Sequence, residues 1–600
     1  MQPRRFQIAD CPPSQVTRLQ RELGVSEPLA QVLVRRGMAE PARAQAFLTA
    51  DEEHPPGAFA GIGAAVASIL GHVTRRTRIT IHGDYDVDGI CSTAVLVRVL
   101  RALGADVDFY IPDRAGDGYG LNASTVRRLA ERGTRLLVSV DCAITAVEEV
   151  AQATALGVDV VITDHHAPRA DGALPQAPIV HPRLCGYPCA ELCATAVAYK
   201  LAQALIDALA AGEAGGPAAE RAREMLQSRT LEQDLDLVAL ATVADVVSLT
   251  GENRALVRRG LRALAGTTKP GLRALMAVAG VDPSKVNERS VAFALAPRLN
   301  AAGRLYRADA GLELILTEDA HRASQIAGEL DAANHERRQL ETRIRFAAEA
   351  QMAEQGERAA YVLAGEDWHP GVIGIVASRL VERSGRPVVL IALDGDTGKA
   401  SGRSVEAFDL LGGLSACAEH LLRYGGHRAA AGLEIERARV PDFATALCAH
   451  AERVLRPQDL VAVERVDAIV GGEQLGMALA EELASVAPFG RGNPTVSLMI
   501  ADATFTDVRP MGEGKHARFT VESRGTRARA VAFGTGGRLP RAAEGSDGEL
   551  EATFTLEVNE WNGVSEPRLV LRHAQVRERE RERDEADVPV EQEELVLFAL

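Results

Sequence analysis

The sequence predicts a multidomain α/β protein with a parallel-sheet domain, a long connecting helix, a smaller α/β domain and a small β-barrel. The chain has 600 residues, which is more than one hydrophobic core serves. Between residues 79 and 163, short β-branched runs alternate with helical patterns, which is typical of a parallel sheet. After about residue 495 the pattern changes to short alternating strands with little helix, which favours a barrel.

Composition indicates a soluble globular protein, since 46% of the residues are hydrophobic and 25% are charged. The formal net charge of -15 gives no overall signature of nucleic-acid binding, so such a partner requires a local basic surface. The eight cysteines lack the spacing of a disulfide framework, and Met1-Gln-Pro-Arg-Arg does not open a signal peptide. No run of about eighteen apolar residues predicts a membrane span. We therefore expect a cytoplasmic protein with no membrane partner.

The first half of the chain is predicted as a helical lead-in over residues 1–50 and the parallel-sheet domain over residues 51–317. Within this domain, strands are predicted at 107–111, 135–140 and 159–163, in addition to the run that begins at Ile79. Helices are predicted at 62–72, 90–103, 124–132, 146–156 and 192–209, and residues 210–219 are predicted as a surface loop.

The second half begins with a solvated connecting helix over residues 318–357, which is rich in Glu and Arg at helical spacing. A smaller α/β domain is predicted for residues 358–460. It contains two glycine-rich stretches, 399–404 and 424–432, whose backbone amides suit an anionic oxygen unless they are ordinary turns. Residues 461–575 are predicted as a barrel of the oligonucleotide-binding (OB) type, and residues 576–600 as a charged tail.

Acidic residues follow several of the predicted strands. Asp84, Asp86 and Asp88 come at alternate positions after the first strand, Asp141 ends the third, and Asp164-His165-His166 ends the fourth. In a parallel sheet the carboxyl ends of the strands lie at one edge, which is where function gathers. Crowded carboxylates raise one another's pKa, and a divalent cation removes that cost. These residues therefore predict a cation site, although an isolated Asp-x-Asp is also typical of a solvated acidic turn.

Asp245 is a further candidate ligand, because it lies in the apolar run Val243-Ala-Asp-Val-Val247, where a carboxylate needs a partner. A helix-end aspartate or an ion pair is the alternative. The complete set exceeds the ligands of one catalytic ion and consists of carboxylates with one or two imidazoles, which suits two Mn²⁺ or Mg²⁺ ions. Cys185, Cys189 and Cys193 near His181 lack zinc-knuckle spacing and are expected to be buried thiols. The residues thus predict a two-metal phosphoesterase.

Four segments resemble the motifs of the DHH phosphoesterase superfamily, namely Asp84-Tyr-Asp-Val-Asp-Gly89, Val140-Asp141-Cys, Asp164-His-His166 and Ala244-Asp245-Val. Gly425-Gly-His427 resembles the signature of the DHH-associated second domain. The segments 297–304, 368–379 and 488–494, together with the C-terminal strands, are similar to the RecJ family of single-stranded-DNA exonucleases. This resemblance extends from about residue 25 to 575.

The resemblance implies a 5′→3′ exonuclease that acts in DNA recombination and repair and releases 5′-mononucleotides by two-metal hydrolysis. It implies metal ligands at Asp86, Asp88, Asp141, His165 and Asp245, with Asp84 as a ligand or support and His82 as a weaker candidate. It implies catalytic roles for His166 and Asp164, with His166 contacting the scissile phosphate or orienting a ligand. The positions implied to bind substrate and its phosphates are Arg114, Arg298, Asn300, Arg304, Ser401, Arg403 and His427.

The family further implies single-stranded DNA as the substrate, gripped in part by the barrel, and a helicase and a single-strand-binding protein as partners. The chain departs from the family pattern at Ala143, Ala194 and Ala400, where glycine is common, and at His181, where asparagine is common. Two alternatives stay open at this point: a phosphodiesterase for short oligonucleotides or cyclic dinucleotides, and an inactive scaffold that binds single strands.

Overall fold

The computed structural model describes residues 4–112, 120–212, 216–305, 307–539, 550–561 and 563–576. The strands are β1 (Arg4–Ile8), β2 (Ile79–His82), β3 (Val107–Tyr110), β4 (Leu136–Val140), β5 (Asp159–Thr163), β6 (Ile179–Val180), β7 (Tyr361–Gly365), β8 (Val388–Asp394), β9 (Thr397–Arg403), β10 (Arg423–Gly426), β11 (Ala430–Glu436), β12 (Ala462–Val466), β13 (Ala468–Ile469), β14 (Leu498–Met511), β15 (His516–Ser523), β16 (Thr526–Ala532), β17 (Leu550–Trp561) and β18 (Val564–Val576). The helices are α1 (Pro13–Leu23), α2 (Glu27–Arg35), α3 (Pro41–Thr49), α4 (Ile62–Arg75), α5 (Val87–Ala102), α6 (Ala123–Glu131), α7 (Val147–Ala155), α8 (Ala194–Ala211), α9 (Pro217–Gln227), α10 (Leu235–Ala244), α11 (Gly251–Ala265), α12 (Pro270–Ala279), α13 (Glu288–Ser290), α14 (Ala296–Leu305), α15 (Ala310–Leu316), α16 (Ala320–Gln355), α17 (Pro370–Ser384), α18 (Leu410–Ala416), α19 (Val440–Val454) and α20 (Met477–Ala484).

The first sheet is parallel throughout, with the strand order β3-β2-β4-β5-β6, which confirms the predicted doubly wound domain. Every residue of β2 and β4 is buried, since helices cover both faces of the sheet. The carboxyl ends of β2, β4 and β5 are therefore adjacent, and each continues directly into an acidic segment.

Helix α8 has the length and apolar composition of a membrane span, although no such run was predicted from the sequence. It packs instead in the core of the first domain, where Val197, Leu201 and Leu205 are fully buried. The first residues of α8 also bind a buried carboxylate, as described below. It is therefore a core helix of the first domain. The predicted loop at 210–219 is partly wrong, because α8 extends to Ala211 and α9 begins at Pro217.

The predicted connecting helix is present as α16, but the prediction that it is solvated is wrong. Its first half packs Ile326 and Leu330 into the core of the parallel-sheet domain. Its second half packs Ile344 and Ala348 against the second domain. The apolar positions on the two halves pack into two different cores, and many charged residues lie between them. The sequence pattern therefore did not reveal that one side of this helix is buried.

The second domain has a mixed sheet with the strand order β10-β11-β9-β8-β7. Both glycine-rich stretches proved to be strands rather than loops: residues 399–404 lie largely in β9, and residues 424–432 form the β10–β11 hairpin. At Gly402 a Cβ would lie 2.9 Å from Leu410 Cδ2 of α18, so a larger residue would displace that side chain. Gly402 thus allows α18 to approach the strand closely.

The C-terminal strands form a closed five-stranded barrel in the order β14-β15-β16-β18-β17, with β17 pairing back to β14. This confirms the predicted OB-type barrel. The N-terminal segment packs on the same region: helices α1–α3 share its core, and β1 pairs in parallel with β12. The lead-in therefore contains a strand that was not predicted. The tail from residue 577 onward lies outside the described residues.

Candidate active site

The loop after β2 presents three aspartates to the sheet edge. Asp86 is the N-cap of α5, and its Oδ1 accepts hydrogen bonds from the backbone N–H groups of Asp88 (3.0 Å) and Gly89 (3.1 Å). Asp84 is buried, and its Oδ1 accepts from the Tyr85 N–H at 2.8 Å. A Cβ at Gly89 would lie 2.5 Å from the Asp84 nitrogen, so only glycine allows the helix to pass this close to the aspartate loop.

Asp88 is held at the N-terminus of α8. Its carboxylate accepts from the N–H of Ala194 (2.7 Å), the N–H of Thr195 (2.7 Å) and Thr195 Oγ1 (2.6 Å). The first turn of a helix provides N–H donors that have no partner within the helix, and these bind the carboxylate. Ala194, which departs from the expected glycine, still donates its backbone N–H to Asp88.

Asp141 and the Asp164–His166 segment follow β4 and β5. Asp164 Oδ1 accepts from the N–H of His165 (2.7 Å), the N–H of His166 (3.1 Å) and His166 Nδ1 (2.8 Å). Its Oδ2 accepts from the Ile144 N–H at 3.0 Å. Asp164 therefore holds the imidazole of His166 and the backbone of both histidines from inside the loop.

Three carboxylates from three different elements converge on one nitrogen. His165 Nε2 lies 3.3 Å from Asp141 Oδ1, 3.6 Å from Asp245 Oδ2 and 3.8 Å from Asp88 Oδ2. Asp245 is the residue that ends α10, so a helix end is what delivers it to the sheet edge. The sequence prediction that these strand-end residues lie together is therefore confirmed by the structure.

The electrostatics of the cluster favour an added cation. Burial and the neighbouring carboxylates Asp88 and Asp86 raise the pKa of Asp141 well above its usual range and that of Asp245 to about 8. Burial opposes ionisation of Asp164, but the hydrogen bond and charge of His166 outweigh it and lower the pKa of Asp164. For His166, burial opposes protonation, yet Asp164 raises the pKa to about 9.

The donor set fits divalent cations. Among the described residues, the buried atoms Asp141 Oδ1 and His165 Nε2 have no hydrogen-bond partner, which is costly unless an ion binds them. Three groups each bring their ligand atoms within 4.8 Å of one another: Asp84, Asp86 and Asp141; Asp88, His165 and Asp245; and Asp141, His165 and His166. Asp141 and His165 each belong to two groups, so neighbouring ions are able to share them. Carboxylate oxygens with imidazole suit Mn²⁺ or Mg²⁺.

The predicted phosphate-binding residues of the first domain lie on or near α14. Asn300 Oδ1 accepts from the Val87 N–H at 3.1 Å and so holds the start of α5. Arg298 donates to Asp331 at 2.8 Å and is engaged in an ion pair. Arg304 donates to the Gly371 carbonyl of α17 at 3.1 Å and joins the two domains. Arg114 lies outside the described residues. The substrate contacts of all four residues stay predictions.

The predicted residues of the second domain lie along β9 and at the β10–β11 turn. Arg403 Nη1 donates to Ser401 Oγ at 2.9 Å, and both side chains face Gly374 of α17. His427 is exposed at the turn. His82 is fully buried at the end of β2, where its Nδ1 lies 3.5 Å from Cys142 Sγ.

One residue with a role at this site was missed. His181 Nδ1 accepts from the backbone N–H groups of Arg183 (3.2 Å) and Leu184 (3.3 Å), so its Nε2 carries the proton and donates to the His166 carbonyl at 2.8 Å. In the sequence, His181 stood out only as a neighbour of the cysteines and as a departure from the family pattern, and neither was taken to predict a role at this site. The cysteines were expected to be buried thiols; Cys185 and Cys193 are buried, whereas Cys189 is half-buried. The signal for His181 was its departure from the asparagine of the family.

A cavity of about 870 Å³ adjoins the cluster. It is bounded by the segment around Asp245, the start of α14, helices α16 and α17, the 488–495 connector and strand β18. Five arginines and one glutamate line it, namely Arg289, Arg304, Arg337, Arg491, Arg572 and Glu288. In a chain with a net charge of -15, this cavity brings five arginines beside the acidic centre, of which Arg337 is paired with Glu341 and Arg572 with Glu464.

Three family models match the chain in order. The DHH family N-terminal domain matches residues 78–242, the DHHA1 domain residues 356–453 and the RecJ OB domain residues 466–573. The single-stranded-DNA-specific exonuclease RecJ of Bacillus subtilis is 36% identical over 583 residues, which cover 96% of this chain and 71% of that protein. The protein of the same name from Dickeya dadantii is 37% identical over 533 residues, 86% of this chain and 90% of that one.

Solved structures agree with the sequence relatives. The crystal structure of RecJ from Thermus thermophilus in complex with Mn²⁺ superposes with a TM-score of 0.80 at 32% identity. The match covers 96% of this chain and 80% of that one. The likeness therefore extends through the parallel-sheet domain, the second domain and the barrel.

Proposed function

The chain belongs to the RecJ family of single-stranded-DNA-specific exonucleases, and we propose that it degrades single-stranded DNA from the 5′ end with two divalent cations. It is a metal-dependent exodeoxyribonuclease. The observation that carries the two-metal proposal is the position of His165 Nε2, between 3.3 and 3.8 Å from three carboxylates and without a hydrogen-bond partner among the described residues. Release of 5′-mononucleotides and a role in recombination and repair belong to the same proposal.

We assign the ligands to two of these three groups. Asp84, Asp86 and Asp141 would hold one cation, and Asp88, His165 and Asp245 would hold the other. Mn²⁺ or Mg²⁺ at these positions supplies Lewis-acid polarisation of the phosphate and lowers the pKa of water. Asp88 contributes an orientation that does not depend on the ion, because α8 fixes its carboxylate.

His166 is the group of this chain that we expect to act on the scissile phosphate. Its side chain is 43% exposed at the rim of the cluster, while Asp164 holds its Nδ1 at 2.8 Å. With Nδ1 bound to Asp164, Nε2 is the ring nitrogen that we expect to donate to a phosphate oxygen. Asp164 orients the imidazole and stabilises its protonated form, a role comparable to that of an aspartate behind a catalytic histidine.

Two alternatives from the sequence analysis are not favoured. A phosphodiesterase for dinucleotides has no use for the C-terminal barrel that this chain possesses. An inactive scaffold does not need intact, unpartnered ligand atoms at Asp141 and His165. We propose that the protein binds single-stranded DNA and works in the cytoplasm with a helicase and a single-strand-binding protein. Co-purification with those two proteins tests the proposed protein partners.

The deciding experiment is a product-length time course on single strands labelled at the 5′ or the 3′ end, with and without Mn²⁺. We expect immediate release of labelled mononucleotide from the 5′ label and a shortening ladder from the 3′ label, both only with metal. Cleavage of a dinucleotide but not of a long strand would contradict the proposal. Matched duplex DNA serves as the control and is expected to resist.

A further inference from the structure

Helix α14 lies directly against the loop that carries the aspartates of the proposed metal site. Asn300 of α14 accepts, through Oδ1, a hydrogen bond from the Val87 N–H at 3.1 Å. One turn further along α14, a Cβ at Gly303 would lie 2.8 Å from the Tyr85 carbonyl oxygen, so helix and loop are in close contact there. Tyr85 and Val87 are the chain neighbours of Asp86, and α14 therefore holds the loop on both sides of that aspartate.

The hydrogen bond from Val87 completes the N-terminal cap of α5. The first turn of a helix leaves backbone N–H groups that have no partner inside the helix. In α5 the Asp86 carboxylate accepts from the second and third of these groups, and the Asp86 carbonyl accepts from the Ile90 N–H at 2.9 Å. Asn300 supplies the acceptor for the first group, the N–H of Val87, from a different helix.

Val87 lies between ligands of both proposed cations. Asp86 is in the group that we assign to one cation, and Asp88 is in the group that we assign to the other. A shift of the Val87 backbone would therefore move a ligand of each cation. Side chains that orient metal ligands without binding the ion change the metal affinity when they are replaced.

Helix α14 is itself held in place. Leu299 and Ala301, on either side of Asn300, are fully buried. At the end of the helix, Arg304 donates to the Gly371 carbonyl of α17 at 3.1 Å, which ties α14 to the second domain. A side chain on a packed and anchored helix holds its partner in a defined position. Substrate binding, which the sequence predicts for Asn300, does not explain why its oxygen is bound to α5.

We propose that Asn300 is a positioning residue of the metal site, which orients Asp86 and Asp88 through the Val87 N–H. The inference rests on the proposed function and deepens it. Its consequence is that loss of the Asn300 oxygen weakens cation binding even when no DNA is present. A residue that binds a phosphate would instead donate through its amide nitrogen and affect the KM for DNA.

The test compares Asn300→Leu, which keeps a similar size but removes the acceptor, with Asn300→Asp, which keeps the acceptor and removes the amide donor. Mn²⁺ binding to the whole chain is measured without DNA, from the electron paramagnetic resonance signal of free Mn²⁺. We expect Asn300→Leu to raise the apparent Kd for Mn²⁺ about 10-fold. Asn300→Asp should bind Mn²⁺ at least as tightly as the unmodified protein, because the added negative charge attracts the cation. At saturating Mn²⁺, the KM of Asn300→Leu for a single strand should be unchanged.

Asn287→Leu is the matched control. Asn287 Oδ1 also accepts a backbone hydrogen bond at a helix start, from the Ser290 N–H at 2.9 Å, and its side-chain hydrogen bonds among the described residues stay within the short helix α13. This variant should bind Mn²⁺ as the unmodified protein does. Should Asn300→Leu fail to fold, as judged by circular dichroism, Asn300→Ser removes the contact with a shorter polar side chain.

An unchanged Kd for Mn²⁺ in Asn300→Leu would overturn the proposal, and so would a Kd in Asn300→Asp that rises as much as in Asn300→Leu. Normal Mn²⁺ binding with a raised KM for DNA in both variants would assign Asn300 to the substrate instead. If the unmodified protein neither binds Mn²⁺ nor degrades a single strand, the exonuclease proposal itself fails, and not merely the role of Asn300.

Discussion

Helix α10 has a buried aspartate, Asp236, in its first turn and a half-buried aspartate, Asp245, directly after its last residue, and the surroundings of the two carboxylates differ. The Asp236 carboxylate accepts hydrogen bonds from Lys269 Nζ at 2.9 Å and from Thr267 Oγ1 at 2.8 Å. Asp245 faces His165, which is itself surrounded by Asp88 and Asp141. Burial raises the pKa of both carboxyls, but Lys269 opposes the rise at Asp236, whereas Asp88 and Asp86 add to it at Asp245.

The difference shows that Asp236 has a structural role, whereas Asp245 belongs to the functional site. Around Asp236 the chain supplies the cations itself, since Lys269 and Arg98 also neutralise the nearby Asp234. Around Asp245 the described residues supply mainly carboxylates and imidazoles, and the positive charge of Arg491 lowers the pKa of Asp245 without offsetting the rise caused by burial, Asp88 and Asp86. A buried acidic group that the protein leaves uncompensated is one that an external cation completes.

The largest effect is expected from Asp141→Asn. It should lower exonuclease activity by at least about 10²- to 10³-fold, as loss of a charge that stabilises the reaction does, while removing repulsion from the metal-free protein. We therefore expect its melting temperature without metal to equal or exceed that of the unmodified protein. Initial rates on a labelled strand and thermal unfolding in EDTA measure the two properties. A variant that is both active and destabilised would break the comparison.

Next in size is Lys269→Met, on the compensated side of the helix. It leaves Asp236 and Asp234 buried without their lysine, which should cost about 3–5 kcal/mol of unfolding free energy. Mn²⁺ should not restore the loss, because Lys269 is only 6% exposed and the site is closed. Urea unfolding with and without Mn²⁺ checks this. Rescue by metal would mean that the two acidic sites are equivalent.

His181→Ala tests a residue beside the proposed metal site that contacts the backbone of His166 through a hydrogen bond. Loss of the hydrogen bond to the His166 carbonyl should lower kcat by about 10- to 100-fold with little change in KM. His181→Asn should retain much of the rate, since an amide also donates and accepts. Equal kcat values in the alanine and asparagine variants would show that this hydrogen bond does not position His166.

The smallest effect is the pH dependence of the metal-free protein. The folded-state pKa of Asp245 is raised to about 8, so its proton is bound more tightly in the folded state, and stability falls as pH rises from about 4 to 8. The pKa of His166 is also raised, to about 9, so its contribution is complete below about 6.5 and is lost as pH rises through 9. The melting temperature in EDTA should therefore fall by on the order of several degrees between pH 5 and 9.

The matched control is Asp245→Asn, whose melting temperature in EDTA should depend less on pH. Mn²⁺ should raise the melting temperature of the unmodified protein most at the alkaline end, where its ligands are deprotonated. A melting temperature in EDTA that increases from pH 6 to 8 would contradict the assigned pKa shifts.

The sequence was sufficient to predict the part of the site that is formed by residues at the ends of strands. Because a parallel sheet brings its carboxyl ends to one edge, the acidic residues after β2, β4 and β5 were expected together, and His165 proved to lie within 3.8 Å of Asp88 and Asp141. Asp245 was expected from its apolar neighbours. The pairing of Asp236 with Lys269 was not predicted, since these residues are 33 positions apart and no periodicity connects them.

Predictions made from local composition were wrong where tertiary contacts outweigh the conformational preference of the residues. Residues 399–404 have the glycine content of a loop, yet β8 and β11 pair with them on both sides and make them a strand. The charges of α16 indicated a solvated helix, because its apolar positions are divided between two cores. The N-terminal strand escaped prediction because its partner lies more than 450 residues away.

The pairing of β1 with β12 has a consequence for biosynthesis. At about 5–20 residues per second, the ribosome needs roughly half a minute to a minute and a half to reach β12 after β1. During that time α1–α3 lack the barrel core against which Leu19, Leu29 and Leu33 are buried. We therefore expect the nascent N-terminus to be a chaperone client that matures only when the last domain emerges.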